Sequence, residues 1–378
     1  MSAESTPDPG IPGGAGTTGG RRRAKGRRRK PRGKRRKGLL VTAWVAGGIL
    51  LVGGTGAGYV YFRLNGNIDS VDIDQALGAD RPAKADNGSE NILVLGSDTR
   101  SGSNQELGGG ADDGSARSDT AMVVHVYEGR KKASVVSIPR DTLIDRPECT
   151  DTDGETHDAA TDVMFNSAYA TGGAACAVKT VESLTDLRMD HYLEVDFSGF
   201  QKLIDELGGV TVTTSQAIND PDSHLDLPAG THRLNGEQAL GLVRTRHGVG
   251  DGSDLGRIQL QQAFIKALVE EVKDVGVFTN PKKLYDLADT ATKTITTDSD
   301  LGSVTSLMSF ANGLRGIDTK NMNMVTMPVQ YDTADANRVL VDDAKAQQVW
   351  TALKNDKPIP KSATKGTATG QANGVVTS

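Results

Sequence analysis

Short apolar runs alternate with amphipathic stretches between residues 88 and 356 of this 378-residue chain. Apolar runs bounded by turn residues are typical of buried strands, and apolar positions three and four apart are typical of helices. Predicted strands cover Asn91–Leu95, Thr120–Tyr127, Ala133–Ile138, His191–Val195, Val210–Thr213 and Met322–Pro328. Predicted helices cover Gly173–Leu184, Ser198–Leu207, Asn235–Leu242, Leu255–Val272 and Leu301–Gly313. The alternation predicts an α/β protein built as a layered sandwich, in which the second and third strands form a hairpin.

A basic run and then an uncharged run precede this region. Residues 21–37 hold 13 Lys and Arg and no acid, and the 24 residues Leu39–Phe62 carry no charge. About 20 apolar residues cross a bilayer, and the positively charged flank of such a span stays in the cytoplasm. We therefore expect one transmembrane helix in the cell membrane, with a cytoplasmic N-terminus and an extracellular domain. The alternative is a cleaved signal peptide, but the stretch is longer than the apolar region of such a peptide.

Composition then divides the chain into five expected parts. They are a disordered basic cytoplasmic segment (1–38), a transmembrane helix (39–62), an extracytoplasmic stalk (63–88), one folded domain (89–356) and a disordered tail (357–378). Basic runs also occur in nucleic-acid-binding proteins. Here the position beside an apolar span favours contact with anionic lipid, at about 1 kcal/mol per charge near the surface. We expect no nucleic-acid partner, and a DNA-binding tail remains the alternative.

The two cysteines, Cys149 and Cys176, both lie in the part expected outside the cytoplasm. A disulfide persists in such a compartment, and closing this loop stabilises the fold by about 3 kcal/mol in the chain-entropy model. Two unpaired thiols are the alternative. Neither cysteine has metal-ligand spacing with a histidine, so a zinc site is not expected.

Polar residues that suit phosphate and metal chemistry lie beside three neighbouring predicted strands. Asp98 and Arg100 follow the first strand, Arg117 and Asp119 precede the second, and Arg140 and Asp141 follow the third. Ligands of α/β sheets bind at strand ends, so these side chains could converge on one sheet edge. Taken singly, each cluster is also an ordinary turn.

A fourth cluster lies further along the chain. Arg244 and Arg246 would face the same side of a strand, and Arg257 and Gln261 share one helical face. Arginine pairs bidentately with phosphate, and carboxylates hold Mg²⁺ or Mn²⁺ that bridges phosphate oxygens. Several arginines with two or more aspartates therefore predict a diphosphate site with a divalent metal. A structural ion-pair network without substrate is the alternative.

These strings together resemble the LytR-CpsA-Psr (LCP) family of bacterial envelope proteins, and its actinobacterial members in particular. The resemblance spans roughly residues 90–275 and follows the family order: NILVLGSDTR, RSDTAMVV, SIPRDT, FNSAYATGG, HYLEVDFSGFQKLIDELGGVTV and LPAGTHRLNGEQALGLVRTRHGVGDGSDLGRIQLQQ. It implies a three-layer α/β/α sandwich with a mixed central sheet after one transmembrane helix. It also implies a Mg²⁺-dependent phosphotransferase that moves an anionic glycopolymer from a polyprenyl-diphosphate carrier to peptidoglycan through a phosphodiester. A prenyl-diphosphate pyrophosphatase side activity fits the same site.

The resemblance also assigns roles to individual residues. It implies that Asp98 and Asp119 bind the metal and, with Arg140, form the catalytic group. It implies diphosphate contacts from Arg117, Arg140, Arg244, Arg246, Arg257 and Gln261, with Arg100 and Asp254 as further members. The chain departs from many relatives at Met164, where they have lysine, and in the long Gly- and Asp-rich loop between Asp98 and Arg117.

Two questions stay open on the sequence alone. The group that accepts the proton of the attacking hydroxyl could be Asp98, Asp141 or Asp254, or the metal could make a dedicated base unnecessary. The second hypothesis for function is a non-catalytic, membrane-anchored binder of lipid diphosphates or regulator of envelope synthesis, which would show lipid binding without turnover or metal dependence.

Overall fold

The structure is a computed structural model that describes residues 58–98, 117–250, 252–276 and 280–377. The predicted cytoplasmic segment, most of the predicted transmembrane helix and Arg100 lie outside these residues. Among the described helices, none is both long and apolar enough to span a bilayer. The helices are α1 (58–65), α2 (Ile73–Leu77), α3 (Asn166–Thr185), α4 (Phe197–Leu207), α5 (Gly236–Arg244), α6 (Asp254–Asp274), α7 (Pro281–Thr294), α8 (Val304–Leu314) and α9 (Asp343–Lys354).

Strands form one large sheet and several small ones. The strands are β1 (Asp69–Val71), β2 (Glu90–Asp98), β3 (Arg117–Val126), β4 (Ala133–Ile138), β5 (Thr142–Arg146), β6 (Cys149–Thr150), β7 (Thr156–His157), β8 (Ala160–Met164), β9 (His191–Asp196), β10 (Val210–Thr214), β11 (Ile218–Asp220), β12 (Leu225–Leu227), β13 (Gly230–Leu234), β14 (Ile295–Asp298), β15 (Met322–Thr326), β16 (Val329–Tyr331), β17 (Val339–Val341) and β18 (Val376–Thr377). The seven-stranded sheet has the order β1-β14-β9-β2-β3-β4-β15. Its central pairs β2–β3 and β3–β4 are antiparallel, while β2–β9 and β4–β15 are parallel. The sheet is therefore mixed, and the predicted hairpin is confirmed.

Alternation along the central strands buries both faces of this sheet. Leu93 and Val123 point into a core that includes Val178 of α3 and Trp350 of α9. Ile92, the neighbour of Leu93, lies instead in a core on which α8 packs through partly buried residues. Successive strand residues face opposite sides, so helices cover the sheet on both sides. The predicted mixed α/β sandwich is confirmed.

A second core joins α4, α5 and α6 to the small sheet of β13, β10 and β18. Phe264 of α6 is 1% exposed there, and Val210 and Val212 of β10 are completely buried. Burying a side chain of this size stabilises a fold by about 1.5–3 kcal/mol. This packing fixes the direction of α6 and with it the position of the helix's first turn.

The two segments predicted to flank the domain as a stalk and a disordered tail belong to the fold. In the first, β1 pairs with β14, and Ile73 and Leu77 are 4% and 3% exposed. In the tail, β18 pairs with β10 and Val376 is 3% exposed. Both predictions are wrong because a few apolar residues within a polar segment suffice to dock it once the domain supplies the partner surface.

The disulfide between Cys149 and Cys176 is present, with the two Cα atoms 5.3 Å apart. It ties β6 to α3, which begins at Asn166 rather than at the predicted Gly173 and is kinked at Gly172 and Gly173. A Cβ on Gly172 would lie 2.3 Å from the Sγ of Cys176. Glycine is therefore required where the helix passes the disulfide.

Candidate active site

Asp119 is the extra residue of a β-bulge between β2 and β3. Gly96 pairs with Thr120 and Ser97 pairs with Ser118, which leaves Asp119 between the two pairs. Bulges commonly redirect a side chain next to an active site. The same register pairs the backbone of Asp98 with that of Arg117, so the chain segments of the two predicted metal ligands lie at one end of one strand pair.

Arg140 follows β4 and forms an ion pair with Asp119 through its Nη1 and the Oδ1 of the aspartate. Burial opposes ionisation of Asp119, but Arg140, Arg257 and Arg244 outweigh it and hold the pKa of the carboxyl below its usual range. Asp119 is therefore a carboxylate at neutral pH. Asp119 lies in β3 and Arg140 follows β4, and these two strands pair from Ala121 and Ile138 to Val126 and Ala133. The paired strands therefore hold the two partners of the ion pair together.

The first turns of α6 hold two further predicted residues against the bulge. Ser253 caps the helix by accepting a hydrogen bond from Gly256 N. Arg257, which is 5% exposed, donates from Nη2 to the backbone oxygen of Asp119 at 3.0 Å. Gln261 donates from Nε2 to Thr120 Oγ1, also at 3.0 Å. The side of α6 that carries Arg257 and Gln261 is therefore turned towards β3, as predicted. The polar groups of these two residues hydrogen-bond to β3 and also line the site.

Arg244 and Arg246 do not lie on a strand, and that prediction is wrong. Arg244 is the last residue of α5, and its guanidinium carbon lies 4.8 Å from the ring centroid of Phe197. Arg246 follows in a loop and donates from Nη2 to Asp254 Oδ1 at 3.0 Å. The buried Thr245 between them ends the helix by donating from its hydroxyl to Gly241 O. Local sequence alternation cannot distinguish a strand from a helix end of this kind.

Asp220 organises the loop of Arg246, and sequence reasoning missed it. The side chain is 1% exposed, and its Oδ2 accepts hydrogen bonds from the backbone N–H groups of Arg246 and His247 at 2.8 and 2.9 Å. Its Oδ1 accepts from the N–H groups of Asp222 and Ser223 at 3.0 and 3.4 Å. Burial raises the pKa, but these donors outweigh it and leave the pKa of Asp220 below its usual range. Asp, Asn, Pro and Ser are ordinary turn residues, so the NDPDS string around Asp220 carries no local signal of this role.

Six predicted site residues line one cavity of 280 Å³. They are Asp119, Arg140, Arg244, Arg246, Arg257 and Gln261. Phe197, Asp220, Asp222 and His247 also line it. The side chains of Asp98 and Arg117 lie outside what the structure describes, as does Arg100. The predicted convergence of the arginines on Asp119 is therefore observed, while the role of each residue stays a prediction.

The arginines hold donors that the surrounding protein does not use. Within the described part of the chain, the buried Nε atoms of Arg140, Arg246 and Arg257 make no hydrogen bond. A buried donor without a partner costs about 1–3 kcal/mol, so the ion pairs of the cluster leave part of its hydrogen-bonding capacity unused. Such a set of guanidinium groups suits a multiply charged anion with several acceptor oxygens.

The donor set also fits a hard divalent cation. Asp119 offers an ionised carboxylate at the cavity wall, and oxygen ligands of this kind are those that Mg²⁺ takes. Asp220, Asp222 and His247 also bring ligand atoms within 4.8 Å of one another. Asp220, however, already accepts four backbone hydrogen bonds, so its carboxylate serves the loop.

The fold and this cavity define an α/β protein with an arginine-lined cavity, and comparison with known proteins assigns the family. The model of the LytR-CpsA-Psr family matches residues 60–355. The chain belongs to that family.

Relatives with established names are similar over most of this chain. The cell wall biosynthesis protein LcpA of Corynebacterium glutamicum is 33% identical over 76% of this chain and 59% of its own length. The polyisoprenyl-teichoic acid–peptidoglycan teichoic acid transferase TagT of Bacillus subtilis is 28% identical over 85% of this chain and 95% of its own. A solved structure of TagT bound to LI-WTA is 26% identical, with a TM-score of 0.54, over 76% of this chain and 98% of that one. The match to LcpA thus covers less than two thirds of that relative.

Proposed function

We propose that the protein is a phosphotransferase that moves an anionic glycopolymer from a polyprenyl-diphosphate carrier to peptidoglycan through a phosphodiester bond. The observation that carries the proposal is the cavity in which four arginines surround the carboxylate of Asp119. The name of the relative TagT, a transferase of teichoic acid from a polyisoprenyl carrier to peptidoglycan, supports the same chemistry.

In this mechanism the guanidinium groups bind the diphosphate and stabilise charge as the phosphoryl group transfers. Phosphoryl transfer spreads negative charge over the equatorial oxygens and the leaving oxygen, and positioned donors stabilise it. Removal of one preorganised donor typically costs about 10²–10³-fold in rate. Arg257 and Arg140 are anchored to Asp119, so their positions are set before the substrate binds.

We further propose that Mg²⁺ or Mn²⁺ binds at Asp119 together with Asp98. A divalent cation supplies charge neutralisation and orientation of phosphate oxygens when bound. Asp119→Asn would keep the shape of the side chain and remove its charge, so stimulation of turnover by added Mg²⁺ should be lost. Unchanged stimulation in this variant would remove Asp119 from the metal site.

The proposal includes a place in the cell. The uncharged stretch Leu39–Phe62 and the basic run before it suggest a single-pass anchor with the domain outside. Polyprenyl carriers are membrane lipids, so a membrane anchor would keep the cavity near its substrate. A cysteine introduced near residue 30 should not react with a membrane-impermeant thiol reagent in intact cells. Labelling of that cysteine would contradict this orientation.

The test uses the full chain purified in detergent, with a short prenyl-diphosphate-linked oligosaccharide as donor and peptidoglycan fragments as acceptor. Arg244→Met should lower kcat/KM by about 10²-fold or more, because it removes a charged donor from the cavity. Arg233→Met is the control, since Arg233 is exposed and pairs with Glu271 away from the cavity. Equal kcat/KM in the two variants, or no transfer by the unmodified chain, would overturn the proposal.

A further inference from the structure

A second cavity shares a wall with the proposed diphosphate site. It measures 260 Å³, and its lining includes Arg140, Asp141, Arg246, Tyr331, Asn337 and Arg338, which we call the acceptor cleft. Arg140 and Arg246 line both this cleft and the 280 Å³ cavity. The two cavities are therefore neighbours that border the same pair of arginine side chains.

This adjacency matches the geometry that phosphoryl transfer requires. The attacking oxygen and the leaving oxygen lie roughly in line on opposite sides of the phosphorus. A donor diphosphate in the first cavity therefore needs its acceptor on the other side of the transferred phosphate. The cleft borders the same two arginines and lies outside the first cavity, so it offers a place for that acceptor.

The lining indicates the chemistry of the molecule that the cleft takes. Tyr331 is 45% exposed and presents an aromatic surface with a polar end, which suits the apolar face of a sugar ring. Asn337 adds an amide whose Nδ2 donates to Asp335 Oδ1 at 3.2 Å. Arg338 adds a cation whose Nη1 donates to Asn337 O at 3.2 Å and whose Nε lies 3.8 Å from Asp335 Oδ2. Ring, amide and cation together suit a glycan that carries hydroxyl and carboxylate groups.

The cleft wall is held in place by the fold. Val339 N donates to the backbone oxygen of Asp141 at 3.4 Å, and β17 pairs with β5 immediately after Asp141. Within the loop, Arg338 N donates to Asp335 O and Asp332 N donates to Arg338 O. The loop that carries Asn337 and Arg338 is thus joined to the segment that carries Arg140.

We propose that the acceptor cleft binds the glycan acceptor of the transfer reaction, with Tyr331 as the sugar platform and Arg338 as the carboxylate contact. This inference rests on the proposed function. An acceptor hydroxyl oxygen forms the new bond to the phosphorus that carries the polymer, and the bond from that phosphorus to the bridging oxygen breaks. The prenyl phosphate leaves with the electron pair, and the hydroxyl proton passes to the carboxylate of Asp141.

Asp141 suits this role by position and by environment. Its Oδ2 lies 3.7 Å from Arg140 Nε and 3.8 Å from Arg246 Nη2, so it is held near both arginines without a short hydrogen bond to either. Burial and the neighbouring Asp254 raise its pKa above the usual range, against the effect of Arg140, Arg246 and Arg257. A raised pKa makes a carboxylate a better proton acceptor. Asp254, in contrast, has its Oδ1 within 3.0 Å of Arg246 Nη2 and also pairs with Arg257.

The experiment separates acceptor kinetics from donor kinetics, again with the full chain, the prenyl-diphosphate-linked oligosaccharide and peptidoglycan fragments. Tyr331→Ala should raise the KM for the acceptor about tenfold, the loss expected from one aromatic contact, while the donor KM stays within twofold. Leu340→Ala is the matched control, because Leu340 is exposed on the adjacent strand outside the cleft and pairs with Gln330. Ala336 also lines the cleft, so the large side chain of Ala336→Trp should obstruct it and abolish transfer to the acceptor while donor binding persists.

The outcomes distinguish this inference from the proposed function. One outcome is that the unmodified chain transfers the polymer, while Tyr331→Ala and Ala336→Trp have the same acceptor KM as Leu340→Ala. This outcome would overturn the acceptor cleft and leave the proposed transferase function intact. A parallel rise in donor and acceptor KM would also overturn it, since the substitution would then act on the whole site. Absence of transfer by the unmodified chain would overturn both proposals.

Discussion

Replacement of Asp220 tests whether the loop of Arg246 is positioned by one buried carboxylate. The carboxylate of Asp220 accepts hydrogen bonds from four backbone N–H groups, with N···O distances of 2.8, 2.9, 3.0 and 3.4 Å. A hydrogen bond to a charged group contributes about 1.5–3 kcal/mol when it is well formed. The two short bonds cross from β11 to the Arg246 loop, whereas the two longer ones close a local turn. Water from the adjoining cavity can replace part of what is lost, so Asp220→Ala should lower the free energy of unfolding by about 2–4 kcal/mol.

Denaturant titration of the purified full chain gives this free energy, with Asp222→Ala as the control. Asp222 occupies the same turn, but its side chain is 79% exposed, so its removal should change the free energy by less than about 0.5 kcal/mol. Transfer activity should fall by about tenfold or more in Asp220→Ala, because displacement of Arg246 by a fraction of an ångström is costly. Coincident unfolding curves for the two variants would refute the reasoning.

The dependence of this effect on pH follows from the lowered pKa of Asp220. A carboxyl whose pKa is lower in the folded state stabilises the fold above its unfolded pKa, about 3.9, and loses that contribution as the pH falls through its folded pKa. The difference in unfolding free energy between the unmodified chain and Asp220→Asn should therefore be complete above about pH 5 and shrink in more acidic solution. A difference that grows on acidification would contradict the assignment.

Three further predictions concern the fold. Replacement of both Cys149 and Cys176 by serine should lower the free energy of unfolding by about 3 kcal/mol, measured by denaturant titration without reductant. An unchanged midpoint would show that the disulfide adds nothing to the stability. Phe264→Ala should lower it by about 3–5 kcal/mol, because the ring is 1% exposed in the second core; a loss below 1 kcal/mol would contradict that packing. A chain ended at residue 360 should unfold at a lower temperature, because it loses β18 and the buried Val376; an equal melting temperature would show that the tail is dispensable.

The sequence predicted those parts of the fold whose hydrophobic pattern is local. Strands β2, β3 and β4 contain apolar runs, β9 carries apolar residues among polar ones, and α4 is an amphipathic helix with its C-cap at Gly208. Each element could be recognised because its apolar residues lie close together in sequence and indicate burial whichever element packs against them. Pairing between distant segments could not be recognised, and β14 and β18 were missed for that reason. Their few apolar residues form strands only because β14 pairs with β9 and β18 pairs with β10.

The site was predictable in composition and less so in geometry. The Arg and Asp residues beside β3, β4 and α6 were identified because their types suit phosphate and their strands are adjacent. The bulge at Asp119 was not, because a single extra residue leaves no local signal. Arg244 and Arg246 were placed on a strand because alternation at two positions is too short to exclude a helix end. Asp220 escaped notice since its function lies in backbone contacts with a segment 26 residues away.

The acceptor cleft could not be predicted from sequence for a related reason. Tyr331, Asn337 and Arg338 lie about 190 residues from Arg140 along the chain, and no motif links them. They meet Asp141 only because β17 pairs in parallel with β5. Topology, rather than residue type, brings these groups together.

The central claim is that a prenyl diphosphate lies among the guanidinium groups of the 280 Å³ cavity. An experimental structure of the full chain with a bound prenyl diphosphate tests it most directly. We expect phosphate oxygens within hydrogen-bonding distance of Arg244 and Arg246, beside Asp119. A diphosphate bound instead in the 540 Å³ cavity beside Lys266 and β15, with the four arginines free of phosphate, would contradict the account.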